Sequence, residues 1–141
     1  MGDELSGERY RALADFRHSV RKFQQFSDNA ARSAGLEPRQ HQMLLAIKAA
    51  EDETLTVGNI ADQLLIRHHS AVELIRRTEE RGLVTRTRGA RDRRQVFVRL
   101  TPMGEQSLSG LAASHHRELQ SAAPDLIRSL QRIIAEGPAG D

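Results

Sequence analysis

The sequence has no cysteine and no tryptophan, and only one tyrosine and four phenylalanines in 141 residues. Without cysteine, disulfides and thiol-based redox sensing are both excluded. No apolar run approaches the ~18–20 residues that a membrane span requires. The polar, acidic stretch from Met1 to Tyr10 does not read as a signal peptide, so a soluble, cytoplasmic protein without membrane contact is expected. No nucleophile elbow, phosphate loop or carboxylate pair surrounds the Ser, His and Asp residues, so neither catalysis nor a cofactor is expected. The hydrophobic share is only 38%. A core that thin in a helical chain suggests that apolar surface is buried against a second copy.

Charge is abundant but unevenly spread. Residues 67–99 hold ten arginines against four carboxylates, a local balance of +6, while residues 1–66 and 100–141 each stand at −2. A concentrated basic segment between acidic flanks is the electrostatic footprint of a surface that meets a polyanion.

Apolar spacing organises the chain into helices around that segment. Tyr10, Leu13, Phe16, Val20, Phe23 and Phe26 form one stripe of a long helix over 8–33. Gly35 supplies a left-handed stop, and Pro38 opens a second helix over 38–50 that buries Met43, Leu44 and Ile47. After the acidic loop Glu51-Asp52-Glu53, Leu55-Thr56-Val57 suits a strand stub, with Thr56 able to cap a short helix over 57–64. Arg67-His68 then forms a turn, and a helix from His69 to about Arg81 ends at Gly82. Two short helices about a tight turn are the helix-turn-helix arrangement, whose second helix enters the major groove. Residues 83–87 and 95–100 alternate as two paired strands joined by a seven-residue basic tip, Arg88 to Arg94. Thr101-Pro102 is an N-cap followed by proline at the first helical position. Leu108, Leu111, His115 and Leu119 stripe the helix that follows, and Pro124 or its neighbours restart a last helix through Ile133 and Ile134. The tail from Gly137 to Asp141 should fray. The expected fold is mainly α with a small β-hairpin wing: a winged helix-turn-helix over about 38–100, flanked by helices about 8–35 and 103–135. The whole chain, 1–141, reads as one domain.

Taken together these residues resemble the MarR-type winged-helix transcription regulators. The likeness is sharpest in Arg81-Gly82-Leu83-Val84 and in Asp92-Arg93-Arg94 followed by Val96, Val98, Leu100-Thr101 and Gly104. The family's wing signature is an Asp and an Arg two apart, then alternating apolar residues, then Leu-Thr-x-x-Gly, and every part of it is present. The sequence departs from the family's pattern at the start of the recognition helix, Arg67-His68-His69-Ser70, where Ser and Thr are common in relatives. Arg76 also replaces a frequent acid, and Thr78 a frequent leucine. The resemblance implies a homodimer with two DNA-binding lobes, in which the helices about 8–35 and 103–135 form the dimerisation region. It also implies a transcriptional regulator, here expected to be a repressor, under the control of a small aromatic or otherwise apolar effector held between the two regions. His18, Arg21, Phe26 and His41 fall near where the family's ligand pocket would be.

Within the recognition helix, His68, His69, Ser70 and Glu73 occupy the part that reaches base edges. Glu73 can accept from a cytosine amino group or orient Arg77 four residues on. Arg76 and Arg77 suit phosphates. In the wing, Arg94 suits a minor groove narrowed by A·T-rich sequence, with Asp92 holding it by a bidentate pair. Arg91 and Arg93 suit backbone contact. No metal site is expected: His68-His69 and His115-His116 are doublets whose members point about 100° apart on a helix, and no His-x-x-x-His spacing occurs. The alternative from another class is a winged helix used for protein interaction or ligand binding, without an operator of its own.

Overall fold

The computed structural model describes residues 4–135, so the tail from Gly137 to Asp141 lies outside the described residues. The element order is α1 (Gly7–Ser33), α2 (Pro38–Ala49), a 3₁₀ turn (Glu51–Glu53), β1 (Leu55–Thr56), α3 (Val57–Leu64), α4 (His68–Glu80), β2 (Val84–Arg88), β3 (Val96–Leu100) and α5 (Pro102–Ala135). The three strands form one antiparallel sheet in the order β1-β3-β2. Val84 stands opposite Leu100, Arg86 opposite Val98 and Arg88 opposite Val96, while Leu55 of the stub pairs with Val98 from the other side.

Local chemistry explains most boundaries. Gly35 and Gly82 adopt φ of +80° and +74°, the left-handed region where a Cβ is costly. At the start of α2, Glu37 and Gln40 form a reciprocal capping box, with Pro38 at the first helical position. Thr56 Oγ1 accepts from Asn59 N at 3.2 Å and caps α3. Thr101 Oγ1 likewise accepts from Gly104 N at 3.1 Å and donates to the Gly82 carbonyl, so one side chain ties the α4–β2 turn to the start of α5. Gly104 itself passes so close to β2 that a Cβ there would lie 2.1 Å from the Leu83 carbonyl oxygen. That close approach is the physical reason for glycine at the end of the Leu-Thr-x-x-Gly signature.

The chain divides into two compact units, residues 30–113 and residues 1–29 with 114–141. The first, winged-helix unit is built on Met43, Leu44 and Ile47 of α2, Ile60 of α3, Ala71, Leu74 and Ile75 of α4, and Val84 and Val98 of the sheet, all buried. Thr78, placed where a leucine was anticipated, is also fully buried and satisfies its hydroxyl by donating to the Leu74 carbonyl at 2.7 Å. Lys48 of α2 meets Glu53 and Glu105, both at 2.9 Å, and these hydrogen bonds raise its pKa above the usual amine range. In the second, helical unit, His115 Nε2 lies 2.8 Å from Ser27 Oγ, and its ring meets Phe23 and Phe26 edge-on. Arg132 of α5 reaches Asp15 of α1 at 2.9 Å.

Two boundaries differ from expectation. The C-terminal region is one helix, α5, which runs through Pro124 where a break between two helices was anticipated. Proline deletes one helical hydrogen bond, to the carbonyl of Gln120. Both residues are exposed, so water can serve that carbonyl, and Ala122 and Ala123 favour the helix on the N-terminal side. The recognition helix begins at His68, one residue earlier than expected, because extended Arg67 (φ −70°, ψ 154°) takes the N-cap position.

Candidate nucleic-acid interface

The basic segment folds into two exposed features of the winged-helix unit: the N-terminal turn of α4 and the tip of the β2–β3 hairpin. Helix α4 buries Ala71, Leu74, Ile75 and Thr78, so the rest of its circumference faces outward. Its first turn holds Arg67, His68 and His69, all exposed, and half-buried Ser70, with no acidic residue. The positive end of the helix dipole is therefore left for an external anion. Leu65, in the turn ahead of α4, takes a left-handed conformation (φ 55°, ψ 44°) and is 91% exposed.

Further along α4 the arginines already have carboxylate partners. Arg76 bonds Glu73 at 3.1 Å and also pairs with Glu80. The Glu73 hydrogen bond, with the charges of Glu73 and Glu80, raises the pKa of the Arg76 guanidinium above its ordinary value. Two acids around one cation leave that stripe net negative, which counts against Arg76 as a free phosphate contact. Glu73 thus orients Arg76 three residues on, not Arg77. Arg77 instead bonds Glu37 at the start of α2 at 3.1 and 3.2 Å. Sequence spacing could not reveal that partner, which lies forty residues away.

In the wing, Gly89 is buried against the hairpin; a Cβ there would approach the Asp92 carbonyl oxygen to 2.6 Å and Phe97 to 3.0 Å. The turn is closed by Gly89 N to the Gln95 carbonyl at 2.9 Å and Gln95 N to the Asp92 carbonyl at 3.1 Å. Arg88 donates to the Arg93 carbonyl. Asp92 does contact Arg94, but not as a two-oxygen fork. One oxygen, Oδ1, accepts from both the Arg94 backbone N at 2.9 Å and its Nε at 3.3 Å. Asp92 therefore shapes the tip as an Asx-type turn, and the Arg94 side chain is left 93% exposed. Arg91 and Arg93 are exposed beside it.

Between helix and wing runs a crevice of about 270 Å³ lined by Val57, His68, Val72, Ile75, Arg86, Arg94 and Val96. Arg86 was not singled out from the sequence. It is held by Glu79, which accepts from the Arg86 backbone N at 3.2 Å and from its guanidinium at 2.9–3.1 Å. The alternation of β2, which puts Arg86 on the same side as buried Val84, was the available signal, but no local rule links it to Glu79.

The other sequence-selected positions divide between the units. His18 and Arg21 are exposed on α1 and Phe26 is half-buried there, with Arg21 lining a shallow depression of about 250 Å³ beside Phe16 and Val20. His41 is buried in α2 of the winged-helix unit. Among the described residues no group of three His, Asp or Glu side chains could hold a metal ion, and no helix is long and apolar enough to cross a membrane.

A helix-turn-helix followed by a three-stranded sheet with a basic hairpin defines a winged helix-turn-helix protein. Residues 34–95 match the model of the MarR family. The family is one of transcriptional regulators and not an enzyme class. A candidate transcriptional regulatory protein for the hcr operon of Thauera aromatica is 28% identical over 134 residues, covering 87% of this chain and 80% of that protein. Among solved structures, AbsC, a MarR family regulator of Streptomyces coelicolor, superposes with a TM-score of 0.78 at 20% identity, over 94% of this chain and 95% of AbsC. Sco3205 of the same organism, solved in complex with DNA, gives 0.74 at 21% identity over 95% and 89%. NadR, solved with 4-hydroxyphenylacetate, gives 0.69 at 20% over 96% and 95%. At these identities the structural likeness is one of fold.

Proposed function

We propose that the protein is a homodimeric, sequence-specific binder of double-stranded DNA that regulates transcription as a repressor, released by a small aromatic or otherwise apolar effector. The observation that carries this reading is the pairing of an acid-free N-terminal turn on α4, with His68 and His69 exposed, and a wing whose Arg94 is almost fully exposed. His68, His69 and Ser70 would read base edges in the major groove while Arg94 enters the adjacent minor groove. Arg91 and Arg93 would meet phosphates, and Asp92 would hold the tip. Arg76, Arg77 and Glu73 would contribute only if they exchange their present ion pairs for DNA.

Two recognition helices about one duplex turn (~34 Å) apart would require a pseudo-palindromic site and a second copy of the chain. The exposed apolar side chains of the helical unit, among them Ile127, Leu130 and Ile134, support the second copy. The effector would act through His18, Arg21 and Phe26 of the helical unit, by binding more tightly to the dimer form whose lobes are wrongly spaced for DNA. The crystallised complexes of Sco3205 with DNA and of NadR with 4-hydroxyphenylacetate make the two ligand classes reasonable ones to test.

The test is binding to a labelled duplex from the region upstream of the protein's own gene, competed by unrelated DNA across a salt series. Saturable binding at one dimer per site that survives competitor supports a specific regulator. Complete removal by competitor would reduce the face to a non-specific basic surface. No binding at all would transfer weight to the protein-interaction alternative.

A further inference from the structure

We propose that the crevice between α4 and the wing is a saddle for one DNA sugar–phosphate strand, with Arg86 as its central phosphate ligand. The inference rests on the DNA-binding reading above and adds to it a subsite, a residue and a chemistry. A duplex bound with α4 in the major groove and the wing in the neighbouring minor groove must pass the strand that separates those grooves across the gap between the two elements. In this protein that gap is the crevice of about 270 Å³.

Its lining has the two chemistries such a strand presents. Val57, Val72, Ile75 and Val96 give an apolar floor, matched to deoxyribose carbons, while Arg86 is matched to the phosphate oxygens and stands between His68 on the major-groove side and Arg94 on the minor-groove side. The three polar side chains come from different elements, His68 from α4, Arg86 from β2 and Arg94 from the wing tip. Glu79 explains how Arg86 is held ready. It accepts from both the Arg86 backbone and its guanidinium, which fixes the side chain at the root of the wing while 45% of its surface remains exposed. An arginine so oriented has less side-chain freedom to lose on meeting a phosphate. Arg76, by contrast, is enclosed by two acids and lies outside the crevice lining. The phosphate-binding charge is thereby moved from the middle of the recognition helix to the seam between helix and wing.

The experiment measures binding of the full-length protein to the upstream duplex and to unrelated duplex DNA across a salt series, for wild type, Arg86→Gln, Arg86→Lys and Arg39→Gln. Arg39 is an exposed arginine of α2 outside the crevice and controls for general loss of charge. Arg86→Gln is expected to weaken both duplexes by a similar factor, roughly tenfold per half-site at 0.1 M salt, and to reduce the slope of log affinity against log salt by about 0.9 per half-site. Arg86→Lys should restore most of the slope, and Arg39→Gln should leave it near the wild-type value. A wild-type slope in Arg86→Gln overturns the proposal. So does a matching loss in Arg86→Lys, since the arginine would then serve only to brace the wing through Glu79. If wild type itself fails to bind either duplex, it is the DNA-binding reading that has failed, not the assignment of Arg86 within it.

Discussion

The two units of this chain use the same helical periodicity to opposite ends. In the winged-helix unit the apolar stripes of α2, α3 and α4 close on one another and on the sheet, and Met43, Leu44, Ile47, Ile60 and Val98 are wholly buried. In the helical unit the stripes of α1 and α5 leave Tyr10, Leu13, Leu119, Ile127, Leu130 and Ile134 exposed, and of its described residues only Ala12, His115 and Ser129 are buried. One unit closes a core of its own, while the other leaves most of its apolar stripe uncovered. A stripe at three- and four-residue spacing reports that a face is meant for burial, but not whether the same chain covers it.

The comparison can be broken most severely from the helical side. Ile127→Asp would place a carboxylate in the proposed dimer interface of each copy, and an uncompensated buried charge costs about 3–5 kcal/mol. Analytical ultracentrifugation should find the wild type sedimenting as the proposed dimer and the variant as a monomer, with the helical circular dichroism retained. A variant that stays dimeric would remove this face from the interface. Leu74→Ala in the complete unit is expected to cost about 3 kcal/mol through the cavity left behind, read by chemical denaturation. A loss below about 1 kcal/mol would mean that the reading head is not independently packed.

Smaller effects distinguish the two parts of the basic face. Arg94→Ala should weaken binding to the upstream duplex by about tenfold, within the usual range for a groove-reading arginine. Asp92→Ala should weaken it less, because Asp92 shapes the tip through one oxygen and does not itself meet DNA. Equal affinity of wild type and Arg94→Ala would end the assignment of the wing to the minor groove. The smallest expected change is a gain. Leu65 occupies a left-handed conformation that costs roughly 1 kcal/mol for a residue with a Cβ, and its side chain is almost fully exposed. Leu65→Gly should therefore raise the denaturation midpoint, and a fall would show that the side chain has a partner in the dimer.

How far the sequence could be read varies with the range of the interaction involved. Gly35, Pro38, Thr56, Gly82 and Thr101-Pro102 act within one turn of the chain, and each sits at the boundary expected of it. Pro124 is also a local signal, yet it misleads, because an exposed helix tolerates the loss of one hydrogen bond that water can replace. Helical spacing offers Arg77, four residues on, as a partner for Glu73, whereas the fold pairs Glu73 with Arg76, three residues on. Arg77 was out of reach of any such rule, since Glu37 comes to it from another helix.

The sequence by itself determined the order of elements as far as the start of α5, the winged helix-turn-helix and the position of the charge, because periodicity, caps and glycine stops are properties of short stretches of chain. It also determined that the wing would carry Asp92 and Arg94 together. Only the tertiary structure decided which cations are left for a ligand. Arg76, Arg77 and Arg86 are alike in sequence, but packing brings two acids to the first, a distant acid to the second, and braces the third on Glu79 in a crevice that His68 and Arg94 also line. Charge is additive along a chain, whereas its availability depends on what the fold places within a few ångströms.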